Sequence, residues 1–162
     1  MIGLLPRPRV FVDEPGLNEA DSLVDIHAGA FVRGWSAEDL AALVAGPNVF
    51  VLAVRRVSVF GVRRLVGFVT IRIAADEAEV LTIAINRASR GKGFGRLLME
   101  EAMRRLYRES VSACFLEVDS GNEPAVGLYR TLGFVEVGKR KEYYNNAASA
   151  DGSALVMRLQ LR

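Results

Sequence analysis

A glycine-rich segment with basic residues is the first feature of this sequence that could do chemistry. It reads Arg90-Gly91-Lys92-Gly93-Phe94-Gly95 and continues into Arg96. Glycines let a backbone curl closely around a ligand, and the free N–H groups at the start of a helix bind anions. Because an apolar strand pattern precedes the segment and a helical pattern follows it, we predict a pyrophosphate-binding loop that opens a helix.

Other interpretations of this loop differ in how well the sequence supports them. A glycine-rich turn that only joins a strand to a helix stays open as the simplest alternative. A Walker-type phosphate loop is excluded, because no Gly-Lys-Ser/Thr follows at the required spacing. A dinucleotide-binding fingerprint is excluded as well, since Gly91, Gly93 and Gly95 have the wrong spacing for it.

Three polar residues further along the chain could take part in catalysis or binding. Glu117 could accept a proton, although an exposed strand carboxylate is the default for such a residue. Tyr129 could donate a proton, but a plain core tyrosine is the default on the apolar face of a helix. Asn122 is adequately explained as a helix cap. The residue pattern alone therefore leaves these three roles open.

Hydrophobic periodicity predicts the elements that must position these residues. Strands are expected at Val10–Val12, Val49–Val57, Leu65–Ala74, Glu79–Ile85, Ala113–Asp119, Phe134–Val137 and Ala154–Leu161. Helices are expected at Leu17–Phe31, after Ser36 to about Ala45, at Gly93–Arg108, and from near Asn122 to a stop at Gly133. A turn at Ala75-Asp76-Glu77 would join two of the strands. This order in the C-terminal half predicts an α/β layered domain with a crossover connection.

Composition narrows the class of protein. The chain has 162 residues, 51% of them hydrophobic and 25% charged, so we expect residues 1–162 to form one domain. A net charge of +2 gives no reason to expect a nucleic-acid partner. Without a signal-peptide pattern or an apolar stretch of ~18–20 residues, we expect a cytoplasmic protein with no membrane partner. The one cysteine, Cys114, is expected to be a buried core residue, and no metal site is predicted.

The segment Arg90-x-x-Gly93-x-Gly95 resembles the Arg/Gln-x-x-Gly-x-Gly/Ala signature of the GCN5-related N-acetyltransferase (GNAT) family. The resemblance covers Val10 to Leu161. It implies an α/β (α+β) GNAT fold, with a mixed, mostly antiparallel sheet of about six to seven strands, about four helices and a β-α-β core that binds acetyl-coenzyme A. Further stretches resemble the bacterial ribosomal-protein-alanine N-acetyltransferases within that family, namely Ala30–Ser36, Leu81–Ile85, Leu116–Val118, Asn122–Phe134 and the pair Tyr143-Tyr144 with a late Met157.

The resemblance implies a role for each candidate residue. The loop Arg90–Arg96 would hold the pyrophosphate of acetyl-coenzyme A, mainly through backbone N–H groups. The backbone of Ile83, Ala84 and Ile85 would pair with the pantetheine arm as an extra strand would, and the Asn122 side chain would bind the far end of that arm. Glu117 would be the proton acceptor and Tyr129 the proton donor. The acceptor would be bordered by the aromatic residues Trp35, Tyr143 and Tyr144. A core anchor stays open for Trp35, and hairpin packing stays open for the tyrosine pair.

The implied activity is direct transfer of an acetyl group to the N-terminal amine of a protein, such as a small-subunit ribosomal protein that begins with alanine. An α-amine has a pKa of ~7.7–8.0 against ~10.4 for lysine, so one carboxylate could deprotonate it more easily. Acetylation of another amine (a lysine, polyamine, amino acid or drug) stays open, as does a module that binds coenzyme A without catalysis. Relatives typically carry Pro where this chain has Asn145, and Glu-Asp where it has Gly152-Ser153, which leaves the peptide specificity open.

Overall fold

The structure is a computed structural model that describes residues 7–31, 36–141 and 152–162. Within these residues the chain forms seven strands and four α-helices. The strands are β1 (Arg9–Asp13), β2 (Val49–Val57), β3 (Arg63–Ala74), β4 (Glu77–Ile85), β5 (Ala113–Asp119), β6 (Val135–Lys141) and β7 (Ser153–Gln160). The helices are α1 (Ala20–Ala30), α2 (Ala37–Val44), α3 (Phe94–Arg108) and α4 (Glu123–Thr131).

The strands of the described residues form one sheet in the order β1-β2-β3-β4-β5-β7-β6. Neighbouring strands are antiparallel except β4 and β5, which run parallel and are connected through α3. A parallel pair needs such a crossover, because a tight turn cannot return the chain to the same end of the sheet. This mixed, mostly antiparallel sheet with its helices confirms the predicted fold class.

Helices cover both faces of the sheet. The helices α3 and α4 pack on one face, and they share a core with Cys114, Leu116 and Val118 of β5. The apolar residues of α3 recur at helical spacing on one side of the helix and are buried in that core: Phe94, Leu98, Met99, Ala102 and Leu106. On the opposite face, α1 and α2 enclose a smaller cluster with Phe68 and Ala84. The residues of the central strands therefore alternate between two cores.

Local capping signals locate the helix ends. The Ser36 hydroxyl accepts a hydrogen bond from the Asp39 N–H at 3.0 Å, and the Asp39 carboxylate accepts one from the Ser36 N–H at 3.2 Å. This reciprocal pair is a capping box that starts α2 where the sequence predicted it. At the other end of the fold, Gly133 follows α4 with φ of 96°, a left-handed conformation in which glycine avoids the strain of a side chain.

Some predicted boundaries were wrong by a few residues. The strand β3 begins at Arg63 rather than Leu65, and β4 begins at Glu77 rather than Glu79, because strand pairing continues through charged residues that the apolar pattern had left out. The predicted helix from Leu17 begins with a 3-10 turn before α1. No helix of the described residues is long and apolar enough to cross a bilayer.

Candidate active site

The parallel strands β4 and β5 separate after a short paired region. Their pairing joins Glu77–Glu79 to Ala113–Phe115 and goes no further. Beyond it, β4 stays paired with β3 as far as Ile85, and β5 stays paired with β7 as far as Asp119. A gap therefore opens between two strands that are each held firmly by their other neighbour. An extended ligand could add to β4 in this gap as a strand would.

The backbone of β4 presents polar groups to this gap at alternate residues. The Asn86 N–H donates to the Val66 carbonyl, toward β3, at 2.7 Å. Because the N–H and C=O groups of successive strand residues point to opposite sides, those of Ala84 also point toward β3, and those of Ile83 and Ile85 point into the gap. Of the predicted backbone contacts, Ile83 and Ile85 have the orientation that a paired ligand needs, and Ala84 does not.

A β-bulge lies just before these residues. Thr70 of β3 pairs with Thr82, and Ile71 pairs with Val80, so that Leu81 has no partner in the register. Bulges bend a strand and re-aim its groups, and they are common beside active sites. This bulge lies where β4 leaves β5.

The glycine-rich loop lies at the end of β4 that borders the gap. Gly91 has φ of 72° and Gly93, the N-cap of α3, has φ of 83°. The first helical hydrogen bond runs from the Leu97 N–H to the Gly93 carbonyl. Within the described part of the chain, no acceptor is recorded for the N–H groups of residues 91–96. Such a group of N–H donors at a helix start fits a pyrophosphate.

The basic side chains of the loop donate hydrogen bonds to other groups of the protein. The Arg90 guanidinium donates to the carbonyls of Ile85, at 3.1 Å, and Gly29, at 3.4 Å. Lys92 Nζ donates to the Ala88 carbonyl at 3.3 Å. Arg96 Nε donates to Glu100 at 2.8 Å. In this structure Arg90 therefore connects the loop to β4 and α1, and the sequence had indicated only a charge at that position.

Glu117 lies on the face of β5 that is opposite to α3 and α4. It is exposed, whereas its neighbours Leu116 and Val118 are buried. Its Oε1 atom lies 3.1 Å from Arg140 Nη1 of β6. The carboxylate lines an open groove of ≈ 320 Å³, together with Glu79 and Arg140. A carboxylate in such a groove can meet a ligand from solvent, and Arg140 is a neighbour that the sequence did not indicate.

Tyr129 lies on the other side of β5. It is 5% exposed in the core that includes Leu116, and its ring meets Phe134 edge-on at 5.9 Å. Burial raises the pKa of the Tyr129 hydroxyl to about 12, because the charged phenolate is disfavoured away from water. The structure thus places Glu117 and Tyr129 on opposite faces of one strand rather than side by side.

The remaining predicted site residues are Asn122 and the three aromatic residues expected to border the acceptor. The Asn122 side chain accepts a hydrogen bond from the Ala125 N–H at 3.4 Å and caps α4, as its structural interpretation requires. Trp35, Tyr143 and Tyr144 lie outside the described residues.

A buried polar group near the bulge was not indicated by the sequence. Thr70 is completely buried, and its hydroxyl has no hydrogen-bond partner among the described residues. It shares the α1-facing side of the sheet with its register partner Thr82, since Phe68 and Ala84 occupy that side two residues away. A threonine within the apolar run Leu65–Ile71 of β3 was the signal for it.

Cys114 is buried as predicted, with no exposed surface. Burial, with a smaller contribution from Glu79, raises the pKa of its thiol to about 12. Since the thiolate is the nucleophilic form, this cysteine is poorly suited to covalent catalysis.

The sequence profile of the acetyltransferase (GNAT) family matches residues 20–134, from the start of α1 to the residue before β6. The chain belongs to the GNAT family. The match covers the gap between β4 and β5, the glycine-rich loop, Glu117 and Tyr129. It confirms the family and the enzyme class that the sequence predicted.

Individual relatives agree with this assignment. The ribosomal protein bS18-alanine N-acetyltransferase of Salmonella typhimurium is 33% identical over 98 residues, which make up 60% of this chain and 66%, or just under two thirds, of that protein. A putative enzyme of the same name from Bacillus subtilis is 29% identical over 131 residues, 80% of this chain and 83% of that one. The crystal structure of the ribosomal-protein-S18-alanine N-acetyltransferase from Escherichia coli has the same fold, with a TM-score of 0.82, 24% identity and 94% of each chain covered.

Proposed function

We propose that this protein transfers the acetyl group of acetyl-coenzyme A to the N-terminal α-amine of a protein. The observation that carries the proposal is the gap between β4 and β5, which leads directly to a loop whose N–H groups have no acceptor within the described residues. Acetyl-coenzyme A would supply the acetyl group as an activated thioester.

The chain would bind this donor through its backbone. The N–H groups of residues 91–96 would hold the pyrophosphate at the start of α3. Ile83 and Ile85 would pair with the pantetheine arm in the gap, where their N–H and C=O groups point. Arg90 would hold the loop against the end of β4 through its hydrogen bond to the Ile85 carbonyl. Asn122, at the start of α4, would border the far end of the pantetheine arm.

Glu117 would accept the proton of the acceptor amine. It faces the open groove on the side of the sheet away from α3 and α4. An amine can therefore reach this carboxylate directly from solvent. An α-amine with a pKa of ~7.7–8.0 is partly neutral at physiological pH, whereas lysine at ~10.4 is not. A single carboxylate, directly or through a water, would therefore suit an α-amine.

Tyr129 would donate a hydrogen bond to the leaving sulfur from the opposite side. A phenol is a weaker acid than a thiol in the same surroundings, with ordinary pKa values of ~10 and ~8.5, so complete proton transfer to a thiolate would be uphill. A hydrogen bond from the neutral phenol still stabilises negative charge on the sulfur. Since Cys114 is sealed in the core, we propose direct transfer rather than a covalent enzyme intermediate.

The acceptor is proposed from the relatives. The Salmonella typhimurium protein is named as an alanine N-acetyltransferase of ribosomal protein bS18, and the Bacillus subtilis protein as a putative one. We propose that this chain acts on the same class of acceptor, a protein N-terminus with alanine in first position.

A competition assay tests the proposal. With acetyl-coenzyme A, we expect transfer to a peptide that has the N-terminal sequence of bS18, and little transfer to an N-blocked lysine peptide, spermidine or free amino acids. Glu117→Gln should lower kcat by roughly 10²–10⁴-fold with unchanged affinity for coenzyme A. Glu136→Gln, which removes an exposed carboxylate on β6, is the matched control. Transfer to small amines alone would contradict the proposed acceptor, and loss of coenzyme A affinity in Glu117→Gln would contradict the role of Glu117.

A further inference from the structure

The turn between β2 and β3 presents three exposed apolar side chains, which we call the hairpin tip. Val59, Phe60 and Val62 are 47%, 90% and 53% exposed. Single exposed apolar residues are common, but a contiguous group of them marks an interaction site more often. The hairpin tip is such a group.

Hydrogen bonds hold the backbone of this turn in a defined shape. The Ser58 N–H donates to the Val62 carbonyl at 2.9 Å, and the Gly61 N–H donates to the Ser58 carbonyl at 2.9 Å. The Ser58 hydroxyl accepts from the N–H groups of Phe60, at 3.3 Å, and Val62, at 3.2 Å. The apolar side chains are thus held out in solvent by an ordered turn.

Exposed arginines surround the base of the hairpin tip, and we call them the arginine collar: Arg9, Arg56, Arg63 and Arg64. Arg56 and Arg64 are cross-strand partners. Arg9 and Arg63 both pair with Val57, one from each side, so they share the other face of the hairpin. The collar therefore presents positive charge on both faces.

No negative charge in this part of the sequence offsets the collar. The segment from Phe50 to Ala75 contains no aspartate or glutamate. The neighbouring Arg55 is not part of the collar, because it is buried in ion pairs with Asp13 and Glu19. This end of the sheet therefore presents apolar side chains at the hairpin tip and positive charge in the arginine collar next to it.

The spacing along the hairpin favours a lipid surface. At a rise of about 3.4 Å per strand residue, the Arg56–Arg64 pair lies roughly 7–10 Å behind Phe60. Apolar groups of peripheral proteins enter a membrane to a depth of about 5–10 Å, which would bring the collar to the level of the lipid phosphates. A single-stranded nucleic acid would be bound by aromatic side chains that stack on its bases, and two of the three tip residues are valines.

We propose that the hairpin tip and the arginine collar form a peripheral contact for an anionic lipid bilayer. The tip enters the boundary between headgroups and acyl chains, and the collar contacts the anionic headgroups. The expectation of no membrane partner rested on the lack of a spanning segment, and a peripheral contact does not need one. The contact is independent of the acetyl-transfer site.

Vesicle flotation of the full chain tests this inference. We expect binding to vesicles of phosphatidylcholine mixed with phosphatidylserine, and little binding to phosphatidylcholine alone. Phe60→Ser should weaken binding roughly tenfold, and Arg64→Gln about fivefold. The matched controls are Leu17→Ser, which removes an apolar side chain that is 98% exposed elsewhere, and Arg104→Gln on α3. Both controls should bind like the unmodified chain.

Several outcomes would overturn the inference. Equal binding to both kinds of vesicle would show that the arginine collar does not contribute to binding. Unchanged binding of Phe60→Ser would show that the hairpin tip does not contribute. Binding of single-stranded RNA that depends on Phe60, without vesicle binding, would make the hairpin a nucleic-acid surface instead. Acetyl transfer by Phe60→Ser in solution should equal that of the unmodified chain, so failure of this inference and failure of the proposed function are distinguishable.

Discussion

Replacing Tyr129 by phenylalanine tests how the proposed acid acts. The ring packs in the core against Phe134, and the pKa of its hydroxyl is raised by burial alone, with no hydrogen bond contributing to the shift. Removing the hydroxyl therefore breaks no hydrogen bond recorded within the described residues. We expect the free energy of unfolding to change by less than about 1 kcal/mol.

The effect on turnover follows from the weak acidity of the phenol. Because complete proton transfer to the sulfur is uphill, the hydroxyl would contribute one hydrogen bond to a charged group, which is worth about 1.5–3 kcal/mol. Tyr129→Phe should then lower kcat by about 10-fold to 150-fold, with little change in KM. The release of coenzyme A thiol, followed with a thiol-reactive chromogen under saturating donor and peptide, measures kcat.

Two results would refute this reasoning. A kcat within about twofold of the unmodified enzyme would remove Tyr129 from the reaction. A loss beyond roughly 10³-fold would exceed one hydrogen bond and would require full proton transfer. Tyr107→Phe, which alters a half-exposed tyrosine on the outer surface of α3, should leave both kcat and stability unchanged.

Other substitutions probe the loop and the fold. Gly93→Ala should weaken coenzyme A binding in calorimetry, because a residue with a side chain is strained by roughly 1–2 kcal/mol at φ of 83°. Gly61→Ala is the control: with φ of 80°, it should lower the free energy of unfolding by a similar amount without changing the affinity for coenzyme A. Burial lowers the pKa of His27, so the unfolded chain binds this proton more readily and stability should fall as pH drops from about 7.5 to about 5. His27 is the only histidine, and a thermal midpoint that falls equally in His27→Gln would contradict its role. Arg55→Met should cost about 3 kcal/mol in chemical unfolding by leaving Glu19 unpaired, and a loss below about 1 kcal/mol would show that the ion pairs contribute little.

Features encoded by local spacing could be predicted from the sequence. The helix α3 and the start of α2 after Ser36 depend on residues a few positions apart, and both were found where they were predicted. The glycines of the loop indicated a closely curled backbone, and Gly91 and Gly93 adopt left-handed conformations. The burial of Cys114 followed from the apolar run around it.

Features that depend on distant residues could not be predicted in the same way. The point at which β4 leaves β5 is set by pairing between strands that are separated by a whole helix. The contact of Arg140 with Glu117 joins two strands that are not neighbours in the sheet, because β7 lies between them. The engagement of Arg90 with the Gly29 carbonyl depends on where α1 ends in space. Sequence periodicity carries no information on such contacts.

The two faces of β5 give the proposed acid and base opposite surroundings, and these surroundings fix the direction of proton movement. Glu117 is exposed in an open groove, where it could accept a proton from an arriving amine. Tyr129 is buried on the other side, and its raised pKa keeps it neutral and able to donate. If the strand separates the two groups, the proton taken from the amine need not be the one that the sulfur receives. The groove that receives the acceptor amine could then change with the loops that border it, while the site that binds acetyl-coenzyme A keeps the same chemistry.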